Sequence, residues 1–438
     1  MGVFLCTFCT FTQMNPLYNL TAHITFFILK IYGLFDGKIK LFIKGRKETF
    51  DKLSILNKED KVIWFHAASL GEFEQARPII EEVKKNHSYK VVVTFFSPSG
   101  YEIQKDYQLA DVVCYLPFDT KGRVRKFIEM IHPEFAIIIK YEFWPNLLNQ
   151  LKKKSISTIL VSGIFRKDQA FFKPSGKWMK KSLLAFDHFF VQNKVSKELL
   201  ESIEFTNVSV SGDTRFDRVV KILEQDNSLD FISDFKNDQY TVIAGSTWAE
   251  GEELLVNYIN DSSDEKFIIA PHTMKPKAIQ ELKESIQKKV VLFSEKPFDS
   301  AQDDKSLAVF DVLIIDTIGL LTKIYSYADV AYVGGGFKTG LHNILEPATF
   351  GIPIVIGPQF DKFREAVELV ELKGCISVNN QEEFSSIFNQ LKTDQDFRTE
   401  TGNINDQYIK ENIGATAQIM EYINKQLKTN VSSSEITA

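Results

Sequence analysis

Two carboxylates in the N-terminal half follow apolar runs that predict buried strands. Glu72 comes after Val62–Ala67, and Glu142 comes after the run that begins at Phe135. Ser69 and Glu72 have the S-x-x-E spacing of a capping box, so one interpretation is that Glu72 caps a helix. The other is a general base, which the helix dipole keeps ionised and ready to take a proton. The two roles do not exclude each other.

Glu142 lies beside Trp144 and Pro145, and the proline suits the first position of a helix. An acidic residue and a tryptophan at the end of a strand could orient an acceptor sugar. Equally, Trp144 could belong to the core and Glu142 be a charge in the first helical turn. The pattern alone leaves both interpretations open.

A glycine-rich segment in the C-terminal half follows the apolar run Val330–Val333, and a helix is predicted to begin near Ile344. Glycines let backbone N–H groups approach a ligand, and a helix N-terminus favours an anion. A glutamate in the first turn can accept hydrogen bonds from sugar hydroxyls. This is the outline of a nucleotide-sugar site, with the candidate residues Gly334, Gly335, Gly336, Lys338, His342, Asn343 and Glu346.

Polar residues also follow two other predicted strands of this half. Hydroxyls after the first can donate to a phosphate, although no Walker sequence is present. A histidine after the second could contact a phosphate or a base, and a nearby lysine could neutralise charge. An ordinary loop and a structural histidine are the alternatives. The residues concerned are Ser246, Thr247, Pro271, His272 and Lys275.

Short β-rich runs alternate with helical segments, which predicts an α/β protein with parallel sheets and right-handed crossovers. A length of 438 residues suits two domains of roughly 200 residues each. Ligands bind beyond the carboxyl ends of such strands, so both groups of candidates are expected at one cleft between two doubly wound domains. Strands are predicted over 62–67, 91–96, 112–116, 135–140, 158–161, 189–191, 208–211, 241–244, 266–270, 290–293, 312–316, 330–333, 354–356 and 375–378.

The expected boundaries follow from composition. A polar stretch over Asp217–Gln239 is interpreted as the linker, and Ser294–Ser306 as a solvated insertion. The predicted divisions are a membrane-associated segment over 14–47, an N-terminal domain over 48–216, a C-terminal domain over 217–404, one closing helix over 405–427 and a frayed tail over 428–438.

The segment Leu17–Phe35 is mostly apolar and is followed by basic residues. A secretory signal would have the reverse order of charge. A transmembrane span is possible in length but would contain His23 and Lys30. We expect instead an interfacial helix whose basic collar faces anionic headgroups, with an ordinary amphipathic surface helix as the alternative.

Charge and cysteine content argue against several classes of function. A formal net charge of −5 argues against general nucleic-acid binding. Cys6 and Cys9 have the spacing of a metal or redox pair, but no second Cys/His pair lies nearby. The one Asp-x-Asp, Asp394–Asp396, lies in a polar stretch away from any strand end. We therefore predict neither a metal nor a cofactor, and expect helix N-termini and cationic side chains to meet the charge of a leaving group.

Five motifs in the same order resemble those of the Kdo (3-deoxy-D-manno-octulosonic acid) transferases of lipopolysaccharide biosynthesis. They are His66–Glu72, Glu142–Asn146, Gly245–Thr247, Asp316–Leu321 and Gly334–Ala348, within a likeness that runs from Leu17 to Asn424. The resemblance implies a GT-B fold with two Rossmann-like domains, a membrane-associated N-terminal helix and CMP-Kdo as donor. In that fold the domain over 48–216 would bind the acceptor and the domain over 217–404 the CMP-sugar. The resemblance also implies a lipid A precursor as acceptor at the cytoplasmic face of the inner membrane.

The same resemblance implies an inverting, metal-independent transfer with Glu72 as general base and Glu142 as a second functional acid. It places His272, Gly335, Asn343 and Glu346 near the bound CMP. Two departures stand out: Pro271–Thr273 lacks the arginine of the family's Pro-Arg-His, for which Lys275 or Lys338 could substitute, and Gly212-Asp213 replaces Gly-Asn.

Two rival functions share this architecture. A nucleotide-sugar epimerase would work without a lipid acceptor and would need no membrane-binding helix, so the segment Leu17–Phe35 argues against it. A non-catalytic sugar- or lipid-binding protein would not need Glu72 and Glu142, although capping alone could retain Glu72.

Overall fold

A computed structural model describes residues 14–295 and 306–435. The chain divides into two compact units, one that runs to Asp217 and resumes at Ile413, and one over Arg218–Asn412. Each unit has its own seven-stranded sheet. The predicted α/β class with two Rossmann-like units is confirmed. Cys6, Cys9 and most of the insertion predicted over 294–306 lie outside the described residues.

The sheet of the N-terminal unit has the strand order β3-β2-β1-β4-β5-β6-β7, and its ladders are parallel. Its strands are β1 (Val62–Ala67), β2 (Lys90–Phe95), β3 (Val112–Tyr115), β4 (Phe135–Ile139), β5 (Ser157–Gly163), β6 (His188–Val191) and β7 (Val208–Val210). Its helices are α1 (Met14–Tyr32), α2 (Gly37–Leu53), α3 (Leu70–Asn86), α4 (Pro98–Gln104), α5 (Lys121–Ile131), α6 (Pro145–Lys153), α7 (Lys177–Leu183) and α8 (Lys194–Glu201), and α9 (Thr214–Val220) lies at the division.

The sheet of the C-terminal unit has the order β10-β11-β9-β8-β12-β13-β14 and is also parallel. In chain order its elements are α10 (Asp230–Lys236), β8 (Thr241–Thr247), α11 (Ala249–Asp261), β9 (Lys266–Pro271), α12 (Pro276–Ser285), β10 (Val290–Leu292), β11 (Val312–Ile314), α13 (Leu321–Ile324), β12 (Val330–Val333), α14 (Leu345–Thr349), β13 (Ile354–Ile356), α15 (Arg364–Leu372), β14 (Cys375–Ser377), α16 (Gln381–Thr393) and α17 (Gln395–Asn412). The last helix of the chain, α18 (Ala415–Glu435), belongs to the N-terminal unit.

The central strands are buried on both faces because helices cover both sides of each sheet. Their sequences are accordingly near-continuous runs of valine, isoleucine and phenylalanine rather than alternating patterns. Each of the predicted strands is confirmed within a few residues.

The single helix predicted over 405–427 is wrong. The chain breaks at Gly414, whose φ is +106°, a conformation that glycine adopts without strain. The carboxylate of Asp217 then accepts the N–H groups of Gly414 (2.5 Å) and Thr416 (2.6 Å), which caps the start of α18. The predicted tail is also wrong at its start, since α18 continues to Glu435.

The stretch interpreted as a polar linker is not one throughout. Within it, α10 presents Ile232 and Phe235, both fully buried in the core of the C-terminal unit. Asp234 lies between them, and Asp230 and Lys236 are the first and last residues of this short amphipathic helix, so the segment is polar in composition. One turn of apolar residues is enough to bury it.

In each sheet the strand order reverses at a point between two neighbouring strands, β1 and β4 in the first and β8 and β12 in the second. Loops on either side of such a switch point diverge and leave a crevice at the carboxyl ends of the strands. Glu72 and Glu142 follow β1 and β4, and Thr247 and Gly334 end or follow β8 and β12. Both groups of candidates therefore lie at the switch point of their own sheet.

The N-terminal helices α1 and α2 pack on one another and leave an apolar face exposed. No helix among the described residues is long and apolar enough to cross a membrane. The exposed apolar side chains are Leu17, Leu20, Ile24, Phe27, Ile28, Ile31, Tyr32, Leu34, Phe35 and Leu41.

One member of the basic collar, Arg46, does not face outward. It is 6% exposed, its guanidinium carbon lies 3.6 Å from the ring centre of Phe42, and it donates to the carbonyl oxygens of Phe42 (3.0 Å) and Phe96 (2.7 Å). Burial lowers its pKa to about 9. Arg46 is thus part of the packing beneath the helices, because both of its terminal nitrogens donate to carbonyl oxygens there.

Asp119 ties α1 to the start of α6. Its buried carboxylate accepts the Tyr18 hydroxyl (2.7 Å) and the N–H groups of Asn146 (3.0 Å) and Leu147 (2.9 Å). Asn146 also donates to the side chain of Asn19 (3.0 Å). Burial raises the pKa of Asp119 to about 6, although all three hydrogen bonds favour its charged form.

We predict that Tyr18→Phe loosens α1 without unfolding the unit, because it removes one donor to a buried carboxylate. The loss is about 1–2 kcal/mol, which corresponds to roughly 5- to 30-fold faster hydrogen exchange in α1. Exchange measured by mass spectrometry checks this. Tyr32→Phe is the matched control, since Tyr32 is on the same helix and 61% exposed. Equal exchange in the two variants would contradict the prediction.

Candidate active site

Glu72 is a capping residue, as one of the two interpretations expected. Its Oε2 accepts the N–H groups of Ala68 (2.6 Å) and Ser69 (3.1 Å) at the start of α3. The side chain is nevertheless buried, with 6% exposure. Burial raises the pKa of Glu72, the charge of Glu142 raises it further, and Lys140 and the Ala68 N–H oppose the rise. The result is a carboxylate that holds a proton more readily than an ordinary glutamate.

Glu142 lies in the loop after β4 and precedes α6, so it is not a first-turn charge of that helix. The indole N–H of Trp144 donates to its Oε2 at 2.7 Å. Trp144 in turn stacks on Phe96, with ring centres 4.8 Å apart. The tryptophan therefore both packs on the core and orients the carboxylate, which combines the two interpretations of this segment.

Two further residues of this site were missed in the sequence. His66, the last but one residue of β1, is fully buried with its Nε2 3.5 Å from Oε2 of Glu142. Lys140 follows β4 with φ of +62°, a left-handed conformation unusual for lysine, and its charge lowers the pKa of Glu72. Strained backbone of this kind clusters at functional sites. His66 lies in the motif that contains Glu72, but only the strand register brings it to Glu142.

Three rings meet at the switch point of the C-terminal sheet. Trp248 follows β8, His272 follows β9 and His342 follows β12. The ring centres of Trp248 and His272 are 4.5 Å apart and stacked, and those of His272 and His342 are also 4.5 Å apart. Trp248 was not among the predicted site residues, because its long-range partner is 94 residues away.

The proton of His342 is fixed by this contact. The indole N–H of Trp248 donates to Nε2 of His342 at 2.8 Å, so the neutral ring carries its hydrogen on Nδ1. Burial lowers the pKa of His342 to about 4, and His272 contributes to the fall. At neutral pH His342 is therefore an uncharged hydrogen-bond donor through Nδ1.

The glycine segment does not present all its amides to a ligand as expected. Gly334 donates to the Gly245 carbonyl (2.9 Å) and Gly336 to the Thr339 carbonyl (2.9 Å). A Cβ on Gly334 would lie 2.0 Å from the backbone oxygen of Ser246. The glycine is needed because the loops after β8 and β12 touch. The expectation that the glycine amides face a ligand is therefore wrong for Gly334 and Gly336.

The residues after the glycines form a local network around Glu346. Its Oε1 accepts from the Asn343 amide (3.0 Å) and its Oε2 from the Thr322 hydroxyl (2.8 Å). Asn343 also accepts the Leu345 N–H (3.1 Å) at the start of α14. Glu346 is thus held in one orientation, with lone pairs on each oxygen still available for a hydroxyl.

The candidate phosphate ligands differ in their setting. Ser246 adopts φ of +54° at the end of β8, and the Thr247 hydroxyl donates to Glu252 at 2.6 Å. Lys338 is 78% exposed and 3.3 Å from Glu250, a surface pair worth little energy. Pro271 ends β9, and Lys275 precedes α12 as an exposed residue. No cluster of three or more histidine, cysteine, aspartate or glutamate side chains that could hold a metal occurs in residues 14–295 and 306–435.

The sequence of the N-terminal unit matches a family model. Residues 44–218 match the model described as 3-deoxy-D-manno-octulosonic-acid transferase (kdotransferase). This part of the chain is similar to the Kdo transferases. The match covers β1 to β7, and so includes Glu72, Glu142 and His66.

Kdo transferases from Aquifex aeolicus and Haemophilus influenzae are 28% and 26% identical to this chain. The alignments cover 79% and 84% of this chain and 90% and 88% of the two relatives. A bifunctional glycosyltransferase/methyltransferase from Fusobacterium nucleatum is 25% identical over 87% of this chain, which spans 60% of that relative's length.

A solved UDP-GlcNAc 2-epimerase from Neisseria meningitidis, bound to UDP-GlcNAc, has a similar fold. The TM-score is 0.59 with 16% identity, over 83% of this chain and all of the epimerase. This likeness, together with the two parallel seven-stranded sheets, supports the predicted GT-B fold. At this identity it concerns the fold alone.

We predict that Trp248→Phe raises the pKa of His342. The indole N–H donates to Nε2, the nitrogen that must take up a proton when His342 becomes charged. Loss of this hydrogen bond makes that protonation easier by about 1 kcal/mol, which raises the pKa of His342 by roughly one unit. The phenyl ring keeps the site buried. NMR titration of the histidine rings in the ligand-free protein measures this. Trp178→Phe in the N-terminal unit is the control, and an unchanged His342 titration would contradict the tautomer assigned here.

Proposed function

We propose that this protein is a glycosyltransferase that moves Kdo from CMP-Kdo to a lipid A precursor in lipopolysaccharide inner-core synthesis. The family match and its relatives support the donor sugar and the reaction class. The observation that carries the assignment of roles is the buried Glu72 together with the partly buried Glu142 at the switch point of the N-terminal sheet.

Glu72 is the proposed general base. Both backbone donors bind Oε2, so Oε1 is the oxygen that would take a proton from the acceptor hydroxyl. A carboxylate with a raised pKa is a stronger base than an exposed one. The oxygen freed of its proton attacks the anomeric carbon of Kdo from the side opposite CMP, and CMP leaves with inversion.

Glu142 is the proposed second acid of the acceptor site. Trp144 holds it by a hydrogen bond, so its position is set before the acceptor arrives. A fixed carboxylate can accept hydrogen bonds from acceptor hydroxyls and orient the one that reacts. Its charge also raises the pKa of Glu72, which adds to the strength of the base.

The C-terminal unit is the proposed donor domain. His342 would donate through Nδ1 to the CMP phosphate, with Ser246, Thr247 and Lys275 as further candidates, and Glu346 and Asn343 would bind hydroxyls. Preorganised donors stabilise the charge that develops on a leaving phosphate without a metal. The tautomer of His342 supports this role, because its available nitrogen is a donor at neutral pH.

The exposed face of α1 and α2 is the proposed contact with the inner membrane at its cytoplasmic side. Leu34 and Phe35 in the connection between the helices are 78% and 85% exposed, and Lys30, Lys40 and Lys44 are exposed nearby in the sequence. Apolar side chains enter the headgroup boundary while lysines attract anionic lipids. Such contact would hold the enzyme where a lipid acceptor resides.

We expect Glu72→Gln to lower kcat by about 10²-fold or more, because glutamine can accept the capping hydrogen bonds but cannot take a proton. Wild-type activity should fall as pH drops through the raised pKa of Glu72, and the variant should lack that acidic limb. Products formed from CMP-Kdo and a tetraacylated lipid A precursor are read by mass spectrometry.

Glu383→Gln is the matched control, since Glu383 accepts the Asn379 N–H (2.9 Å) before α16, on the other unit. A fully active Glu72→Gln enzyme would exclude Glu72 as the base. CMP release or donor isomerisation by the wild type, with no gain in acceptor mass, would instead favour a hydrolase or the epimerase.

We expect the double variant Leu34→Ser, Phe35→Ser to bind anionic phospholipid vesicles about 10²-fold more weakly, from the apolar area no longer inserted. Vesicle sedimentation with and without phosphatidylglycerol measures this. Ile318→Ser is the control, because Ile318 is 85% exposed in the C-terminal unit. Equal binding of all three proteins would argue against this face as the membrane contact.

A further inference from the structure

His66 is a fully buried histidine for which the proposed mechanism has no role. It lies in β1, its ring is roughly parallel to that of Trp64 at 6.1 Å, and its Nδ1 is 2.9 Å from the Thr94 hydroxyl and 3.1 Å from the Thr94 carbonyl oxygen. Its Nε2 is buried without a hydrogen-bond partner within the described residues and is directed at Glu142. A polar atom buried in this way requires an explanation.

The positions of the protons follow from the chemistry of these partners. The indole N–H of Trp64 donates to the Thr94 hydroxyl at 2.9 Å, so that hydroxyl can donate its own hydrogen to Nδ1 of His66 at 2.9 Å. In a neutral ring the hydrogen then lies on Nε2, which faces a carboxylate oxygen of Glu142 at 3.5 Å. In the other tautomer two acceptors would face each other and repel. The contact with Glu142 therefore favours the ring that carries its proton on Nε2.

We propose that His66 is a positioning residue that holds Glu142 in the acceptor site by sharing one proton with it through Nε2. The role rests on the proposed function, since it matters to transfer only if Glu142 orients the acceptor. Glu142 is then fixed on two sides, by the Trp144 indole and by His66, and both contacts are to Oε2. Oε1 is left as the oxygen that would accept from the acceptor.

The shared proton has a second consequence for Glu72. The carboxylates of Glu72 and Glu142 influence one another, and Lys140 and His66 are the neighbouring groups that favour the ionised form of Glu72. A proton held between His66 and Glu142 reduces the negative charge near the base.

Two conservative variants test the roles of the two ring nitrogens of His66 separately. In His66→Gln the side-chain amide reaches the position of Nε2 and can donate to Glu142, but nothing replaces Nδ1. In His66→Asn the amide replaces Nδ1 and can bind Thr94, but does not reach Glu142. If His66 only filled space in the core, either variant could restore activity, depending on how well its side chain packs. If His66 positions Glu142, only the glutamine variant restores activity.

We expect His66→Gln to keep kcat within about tenfold of the wild type and His66→Asn to lower it by about 10²-fold, with CMP affinity unchanged in both. Initial rates with CMP-Kdo and a lipid A precursor give kcat and KM, and calorimetry gives CMP affinity. An asparagine variant as active as the glutamine variant would overturn the proposal. Thermal unfolding of each variant accompanies the assay.

A comparison of the folded wild type with Glu142→Gln is independent of both His66 variants and of activity. The ¹⁵N resonance of His66 Nε2 should move in Glu142→Gln, where a neutral amide replaces the carboxylate that shares its proton, while that of Nδ1 stays. An unmoved Nε2 resonance would overturn the proposal even if transfer is observed. A moved resonance in a protein that transfers no Kdo would uphold the shared proton and refute the proposed function.

Discussion

The two hydrogen bonds from the N–H groups of Ala68 and Ser69 to one oxygen of Glu72 are the contact on which the N-terminal site depends. They begin α3, and they hold a carboxylate inside a unit where burial would favour its neutral form. The pKa of Glu72 is raised, so burial and the charge of Glu142 outweigh these bonds and Lys140. The balance of these influences leaves a carboxylate that takes up a proton more readily than an exposed glutamate, as a general base requires. Capping is thus a condition of the proposed catalysis.

In the C-terminal unit, the protonation of a site residue is likewise set by a hydrogen bond, but between neutral groups. The loops after β8 and β12 touch at Gly334, where a Cβ would clash with the backbone at Ser246. That close approach brings Trp248 within hydrogen-bond distance of His342 and so selects its tautomer. The chemistry of the histidine therefore depends on a glycine eight positions away, whose carbonyl oxygen also accepts the backbone N–H of His342 at 3.2 Å.

The strands and the loops that follow them could be predicted from the sequence, because runs of valine and isoleucine need burial on both faces wherever they occur. The predicted strand over 62–67 and the capping residue Glu72 depend on local pattern alone. Residues whose role depends on distant partners were missed: His66 needs the neighbouring strands to bring Thr94 and Glu142 to it. The helix break at Gly414 was missed for the same reason, since Asp217 caps the new helix from 197 residues away.

The two departures from the family pattern have different physical consequences. Asp213, in place of asparagine, is buried, yet its pKa is lowered, since Arg215 and other donors outweigh burial, and Gln75 and Gln192 donate to it at 2.9 and 3.0 Å. The charge of Asp213 is therefore compensated by its immediate neighbours. At Pro271–Thr273 no buried cation replaces the missing arginine among the candidates: Lys338 pairs with Glu250 at the surface, and Lys275 is exposed. A leaving phosphate would then rely on neutral donors such as Nδ1 of His342, whose strength grows as water is excluded from the site.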